Sequence, residues 1–212
     1  FLMTLASRIA SSLVNAELYE RVADNERRMA REMKIAREIQ HQLMPDELPS
    51  IPPLSLAVLF KPVAQLGGDL YDWIEFDDGR LAIVVGDVAG KGAPAALYGA
   101  LSSGVIRTRA GRKYPPGQML ELVNKTLYQR PIEGQYVALT YSIYDPKKRM
   151  ITLANSGLPY PLLVRAGQPT FLDVGGIPLG LFPDSTYQET ELPLLPGDVL
   201  VFYSDGVVES HN

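Results

Sequence analysis

Leu81-Ala82-Ile83-Val84-Val85-Gly86-Asp87-Val88-Ala89-Gly90-Lys91-Gly92-Ala93-Pro94 reads as a buried strand, an acidic residue, a glycine-rich turn and a helix start. A short apolar run bounded by turn residues is the pattern of a buried strand. Pro94 stands where a first-turn proline is tolerated. The glycines let the backbone come close to a ligand, and the helix that follows would aim its N-terminal amides at an anion. A carboxylate held at the end of a rigid strand beside such a turn is a candidate site.

Two further aspartates stand in similar settings. Asp69 lies in Leu66-Gly67-Gly68-Asp69-Leu70-Tyr71-Asp72, and Asp205 follows Val199-Leu200-Val201-Phe202-Tyr203-Ser204. One strand-end aspartate is usually a turn or cap residue. Three in one domain, each with a glycine on at least one side, lead us to expect a hard-metal site built from Asp69, Asp87 and Asp205. Carboxylates without sulfur or imidazole partners select Mg²⁺, Mn²⁺ or Ca²⁺. Two such ions sharing Asp87 would activate water and hold a phosphate oxygen for in-line hydrolysis. The chain has no Cys, and its two histidines are His41 and His211. That excludes disulfides, thiolate catalysis and Cys-based zinc, and it leaves no plausible Ser-His-Asp triad.

Around these residues several readings stay open. Lys91 holds a substrate phosphate or an acidic partner, or is a solvated loop lysine. Gly90-Lys91 suggests a nucleotide P-loop, but three residues separate Gly86 from Gly90 and Gly92 stands where Ser or Thr belongs. Asp72 either orients a ligand or is a polar strand residue. Asn155-Ser156-Gly157 reads as a structural turn near the site, and Tyr71 and Trp73 as core.

Residues 1–44 contain neither Gly nor Pro and are rich in good helix formers. Apolar residues recur there at steps of three and four: Leu2, Leu5, Ile9, Leu13, Ala16, Tyr19, Val22, Met29, Met33, Ala36 and Leu43. The pattern predicts one long helix, or two in line, spanning roughly 66 Å at about 1.5 Å per residue. A helix of that length with one apolar stripe needs a partner. We expect a parallel dimeric coiled coil, with a slip in the seam near Glu26; packing on its own domain is the other reading. Pro45, Pro49, Pro52 and Pro53 close the helix, giving domains 1–44 and 45–212.

After the prolines the pattern predicts strands near 54–60, 69–76, 80–87, 135–144, 149–155, 160–165, 186–192 and 198–204. Asp77-Asp78-Gly79 and Asp145-Pro146-Lys147-Lys148 read as hairpin turns. Two helices are expected near 93–111 and 116–130. Hairpins in sequence, with both helices arriving together, imply antiparallel sheets with helices outside: an α+β fold.

The chain has 212 residues, of which 46% are hydrophobic and 21% charged, an ordinary balance for a soluble globular domain. Residues 1–44 carry seven Lys/Arg against six Asp/Glu, while residues 45–212 carry 13 against 18. The larger part therefore has the wrong sign for a nucleic-acid binder. No apolar run reaches the roughly 18 residues of a membrane span, and no signal peptide is seen. A cysteine-free chain fits the cytoplasm. Phe1 in place of Met leads us to expect a piece of a longer polypeptide.

Four motifs together carry a family resemblance. They are Ala36-Arg37-Glu38-Ile39-Gln40 with Leu43-Met44-Pro45, Gly67-Gly68-Asp69-Leu70-Tyr71-Asp72, Gly86-Asp87-Val88-Ala89-Gly90-Lys91-Gly92 and Ser204-Asp205-Gly206-Val207-Val208-Glu209. In order, over about residues 30–212, they resemble the bacterial PPM-type (type 2C-like) serine/threonine phosphatases of the SpoIIE/RsbU branch. Asn155-Ser156-Gly157-Leu158-Pro159 and Gly175-Gly176-Ile177-Pro178-Leu179-Gly180 are similar to weaker blocks of that family. The resemblance implies an α-β-β-α sandwich with a pair of Mn²⁺ or Mg²⁺ ions at one edge. Asp87 would bridge both ions, with the Val88 carbonyl on one, and Asp69 and Asp205 would flank them. Gly90, Lys91 and Gly92 are candidates for substrate binding. The implied substrate is phosphoserine or phosphothreonine on an anti-sigma-factor antagonist. Residues 1–25 resemble the last helix of a GAF-type sensor domain.

Two departures from the family pattern matter. Leu158 stands where the family has a histidine. A closing strand with one more metal-binding aspartate is expected beyond Asn212. That second departure keeps a catalytically inactive dimeric signalling scaffold as the alternative. A diguanylate cyclase reading of Gly67-Gly68-Asp69 fails, because Leu70-Tyr71 replaces the expected Glu-Phe and the strands do not alternate with helices.

Overall fold

The computed structural model describes residues 2–61 and 66–208, with residues 5 and 6 as backbone alone. His211 and Glu209 lie outside the described residues.

The helix-forming composition of the first segment yields one continuous helix, α1 (Leu2–Leu43), with no joint near Glu26. Met33, Ala36, Gln40 and Met44 turn toward the rest of the chain at steps of three and four. Most other described side chains of α1 are exposed, including Ile9, Leu13, Leu18, Val22 and Met29. The apolar stripe thus divides. Its last turns pack on the chain's own α2, and its earlier turns have no cover among the described residues.

Next come β1 (Leu70–Glu75), β2 (Leu81–Val88), α2 (Ala93–Ala110), α3 (Pro116–Tyr128), β3 (Val137–Asp145) and β4 (Met150–Asn155). They are followed by β5 (Leu162–Arg165), β6 (Gln168–Phe171), β7 (Thr190–Pro193) and β8 (Val199–Val201). One sheet has the order β1-β2-β3-β4-β7 and the other β6-β5-β8; every pairing is antiparallel. The α+β architecture expected from the hairpins is the one observed.

Strand periodicity sorts the two faces of the larger sheet. Ala82, Val84 and Val88 of β2 join Val137, Leu139 and Tyr141 of β3 in a core closed by α2 and α3. Tyr144, Ile151 and Leu153 face the other way and meet Leu200 of the smaller sheet, with Leu172 and Phe202 just past its strands β6 and β8. Ile83, Val85 and Asp87 alternate with the helix-facing set, so Asp87 belongs to the face toward the second sheet.

The strand expected over 54–60 does not form. Residues 55–61 have no regular structure, and that stretch begins with a lone bridge between Ile51 and Leu54. The alternation is strand-like, but residues 55–61 pair with no strand among the described residues. Phe60 instead rests on Tyr71, with ring centroids 5.7 Å apart, and Tyr71 on Trp73 at 5.6 Å. These two aromatics are half-buried rather than deep core. The strand β6 was not expected; it follows the turn at Ala166 and Gly167, both at positive φ.

Candidate metal centre

The register between β1 and β2 builds the heart of the site. Leu70 pairs with Gly86, so Asp69, one residue before Leu70, meets Asp87, one residue after Gly86. The two carboxylates come within hydrogen-bond contact. Asp69 stands just before its strand and Asp87 is the penultimate residue of its own, rather than both ending a run. An antiparallel pair brings one strand's start against its neighbour's end, which is why both kinds of position serve one site.

The local backbone makes this approach possible only with glycine at position 68. The Gly68 carbonyl accepts from the Val88 N–H at 3.3 Å. A Cβ on Gly68 would lie 2.4 Å from the Val88 carbonyl oxygen and 3.2 Å from Asp87 Oδ1. Gly90 and Gly92 have φ of +96° and +73°, a region that favours glycine, and they turn the chain from β2 into α2. Lys91 between them is exposed.

Asp205 sits differently. It starts an exposed 3₁₀ turn, Asp205–Val207, four residues after β8. Its charge reaches both Asp69 and Asp87, but among the described residues no three acidic or histidine side chains converge closely enough to hold a cation. The residue before it makes the direct contact: Ser204 Oγ donates to Asp69 Oδ2 at 3.1 Å.

Burial, together with the nearby charges of Asp69 and Asp205, pushes the Asp87 carboxyl up to about 7. Asp69 is also raised, chiefly by burial, against the lowering effect of its hydrogen bonds from Ser204 and with Asp87. Close carboxylates cannot both ionise cheaply without a counter-charge. The donor set is all oxygen and locally over-negative, and the Val88 carbonyl lies beside it. That chemistry fits a hard divalent cation.

Other singled-out residues separate from this centre. Asp72 faces α2, where Arg107 donates to its Oδ1 at 2.6 Å and the Trp73 N–H at 2.8 Å. It ties β1 to the helix layer. Asn155 is a buried staple: its amide donates to the carbonyls of Leu158 and Val174, and its Oδ1 accepts from Leu158 N–H. The turn there is structural, as its sequence suggested, and Leu158 is buried.

One contact had no expected role. Gln40, near the end of α1, donates through Nε2 to the Gly67 carbonyl at 2.7 Å. The Gly67 N–H donates back to Gln40 Oε1 at 3.4 Å. The long helix therefore holds the loop that leads into Asp69. Gln40 was legible only as part of a motif, because its partner lies 27 residues away.

The stretch that holds Asp87, the glycine loop and the following helix falls within a family pattern: that of Stage II sporulation protein E (SpoIIE) matches residues 77–212. The chain belongs to the SpoIIE family. Phosphoserine phosphatase RsbU of Bacillus subtilis strain 168 is 28% identical over 180 residues, 84% of this chain and 53% of that protein. The chain thus spans about half the length of this curated relative. The structure of the RsbU and RsbW domains of Rv1364c from Mycobacterium tuberculosis superposes with a TM-score of 0.60 at 29% identity, covering 70% of this chain and 42% of that one. The SiaA-PP2C domain of Pseudomonas aeruginosa shares the fold, with a TM-score of 0.72 at 22% identity over 85% of this chain and 73% of that one. In this SpoIIE-family chain the matched stretch contains Asp87, Lys91 and Asp205, whereas Asp69 and Gln40 precede it. No helix among the described residues is long and apolar enough to cross a membrane.

Proposed function

We propose that this chain is a metal-dependent protein phosphatase acting on phosphoserine or phosphothreonine of a regulatory protein. The observation that carries the reading is the contact between Asp69 and Asp87, with the Asp87 carboxyl raised to about 7 by burial and by its acidic neighbours. A SpoIIE-family sequence and an RsbU relative named as a phosphoserine phosphatase support it. An anti-sigma-factor antagonist is the substrate class that the RsbU likeness favours, and the cytoplasm is the compartment that such a substrate implies.

Asp69, Asp87 and the Val88 carbonyl would hold a pair of Mn²⁺ or Mg²⁺ ions, with Asp205 drawn in from its exposed turn. Bound there, the pair would supply a water acidic enough to attack phosphorus and a counter-charge for the phosphate oxygens. Ser204 orients Asp69 through its hydroxyl. Asp87 would hold a cation as the carboxylate, its raised value answering to burial and its acidic neighbours. Gly90 and Gly92 bring backbone close to the phosphate, and Lys91 and the N-terminal end of α2 offer it positive charge.

Regulation would enter through α1. Its uncovered apolar turns suit a parallel homodimer, continuing from a GAF-type sensor helix. A change of pairing upstream would reach the centre through Gln40 and Gly67.

The test uses the chain with Mn²⁺ and a phosphoserine peptide. Turnover that is lost in Asp87→Asn is expected; equal turnover in the variant would overturn the metal assignment. Calorimetric titration with Mn²⁺ adds a second readout. No binding and no turnover would favour the inactive dimeric scaffold, a reading to which the separation of Asp205 lends some support.

A further inference from the structure

Beside the Gly90–Gly92 loop lies a cleft of about 370 Å³, walled by Tyr128, Ile132 and Tyr136 on one side and Leu181 on the other. Its volume falls in the range of about 300–1,000 Å³ typical of ligand clefts. The four side chains are between 37% and 51% exposed, and Phe182 next to them is 56% exposed. Apolar groups concentrated around a concave surface mark an interaction site more often than scattered ones do.

The walls are fixed in place. At the base, Val137 and Leu179 exchange backbone hydrogen bonds of 3.1 and 2.7 Å. The Leu181 wall is stapled by Asn124, which is fully buried. Its Oδ1 accepts from the Gly180 N–H at 2.8 Å and its Nδ2 donates to the Phe182 carbonyl at 2.8 Å. The Tyr136 wall is joined to the metal-centre loop, because the Tyr136 carbonyl accepts from the Ala89 N–H at 2.9 Å. Gln135 lies against the same loop: its Nε2 would stand 3.2 Å from a Cβ on Gly90. Gln135 Oε1 is buried with no hydrogen-bond partner at the seam between cleft and loop.

We propose that this cleft docks the phosphorylated protein substrate by an apolar side chain that lies a few residues from the phosphorylated one. The inference rests on the phosphatase reading, since it is that reading which places the substrate on the adjoining loop. Continuity decides the occupant. A chain with its phosphate over Gly90–Gly92 meets the Tyr136 and Gln135 wall where it runs from that loop toward the cleft. The apolar side chain then fills the space between Ile132 and Leu181. Pre-formed walls keep the ordering cost of such binding low.

The experiment measures kcat/KM with Mn²⁺ on phosphoserine peptides in which each flanking position is varied in turn among Ala, Leu, Phe, Asp and Lys. The same enzyme is assayed on p-nitrophenyl phosphate, which is too small to reach the cleft. Leu or Phe at one flanking position is expected to raise kcat/KM about tenfold over Ala, equivalent to about 1.4 kcal/mol. Ile132→Asp and Leu181→Asp should each abolish that preference and leave p-nitrophenyl phosphate turnover within about twofold, a change worth less than that 1.4 kcal/mol. A flat profile, or a preference that survives both substitutions, overturns the docking site alone. No turnover of either substrate by the wild-type chain overturns the phosphatase reading, and the docking site falls with it.

Discussion

The side chain of Gln40 clasps the backbone of Gly67 at both its carbonyl and its N–H, at 2.7 and 3.4 Å. The first residue belongs to the long helix, and the second stands two positions before Asp69. The clamp ties α1 to the loop that leads into Asp69, so its removal should loosen the centre more than the fold. Hydrogen bonds of this kind are each worth about 1 kcal/mol net. Gln40→Ala should weaken Mn²⁺ binding by roughly tenfold, the equivalent of about 1.4 kcal/mol. Calorimetric titration measures it, and unchanged affinity would remove Gln40 from the coupling.

Ser204 acts one step away from the proposed ions. Its hydroxyl holds Asp69 at 3.1 Å, and loss of such an orienting partner typically costs about 10–100-fold in metal affinity or activity. Ser204→Ala should fall in that range with its melting temperature little changed. A variant as active as the parent would mean that Asp69 needs no orienting partner.

Gly68 is required by contact rather than by φ. A methyl group there would stand 2.4 Å from the Val88 carbonyl oxygen, which is backbone and cannot swing away. Overpacking of this kind costs about 1–3 kcal/mol. Gly68→Ala should lower stability by that amount in urea unfolding and should also separate Asp69 from Asp87, with loss of turnover. Retained stability would show that the strand pair can part there without penalty.

The ion pair between Asp72 and Arg107 gives a pH signature. Asp72 is buried, and desolvation raises its carboxyl above the usual value near 3.8 despite the hydrogen bond from Arg107. A raised folded value means that Asp72 favours the fold most when protonated, and that this contribution is lost as pH rises through its folded value. Arg107 limits that loss. Arg107→Ala should therefore cost about 1–3 kcal/mol at neutral pH, and less in acid below the usual value, where Asp72 is neutral in both proteins. Urea unfolding at two pH values checks this; a cost independent of pH would place the effect of Arg107 in packing.

Leu13 and Val22 are exposed apolar residues on the uncovered part of α1. If that stripe dimerises, Leu13→Glu with Val22→Glu should shift the chain from dimer to monomer in sedimentation equilibrium, with the strand domain still folded by circular dichroism. A parent chain that is already monomeric at high concentration would exclude the coiled coil.

Local pattern alone was enough to predict α1, α2, α3 and most of the strands, because helix and strand periodicity are properties of neighbouring residues. It also singled out Asp69, Asp87 and Asp205, since glycine-flanked carboxylates beside apolar runs are visible without coordinates. It failed over residues 54–60, where alternation was present but the segment pairs with no described strand. Tertiary structure decided which carboxylates meet. The register that sets Leu70 opposite Gly86 joins Asp69 to Asp87, while the exposed turn at Asp205 keeps that residue apart. It assigned Asp72 to Arg107 on α2, and Gln40 to the loop before Asp69. Such contacts join residues far apart in the chain, and only the packing of strands and helices determines which side chain lands beside which.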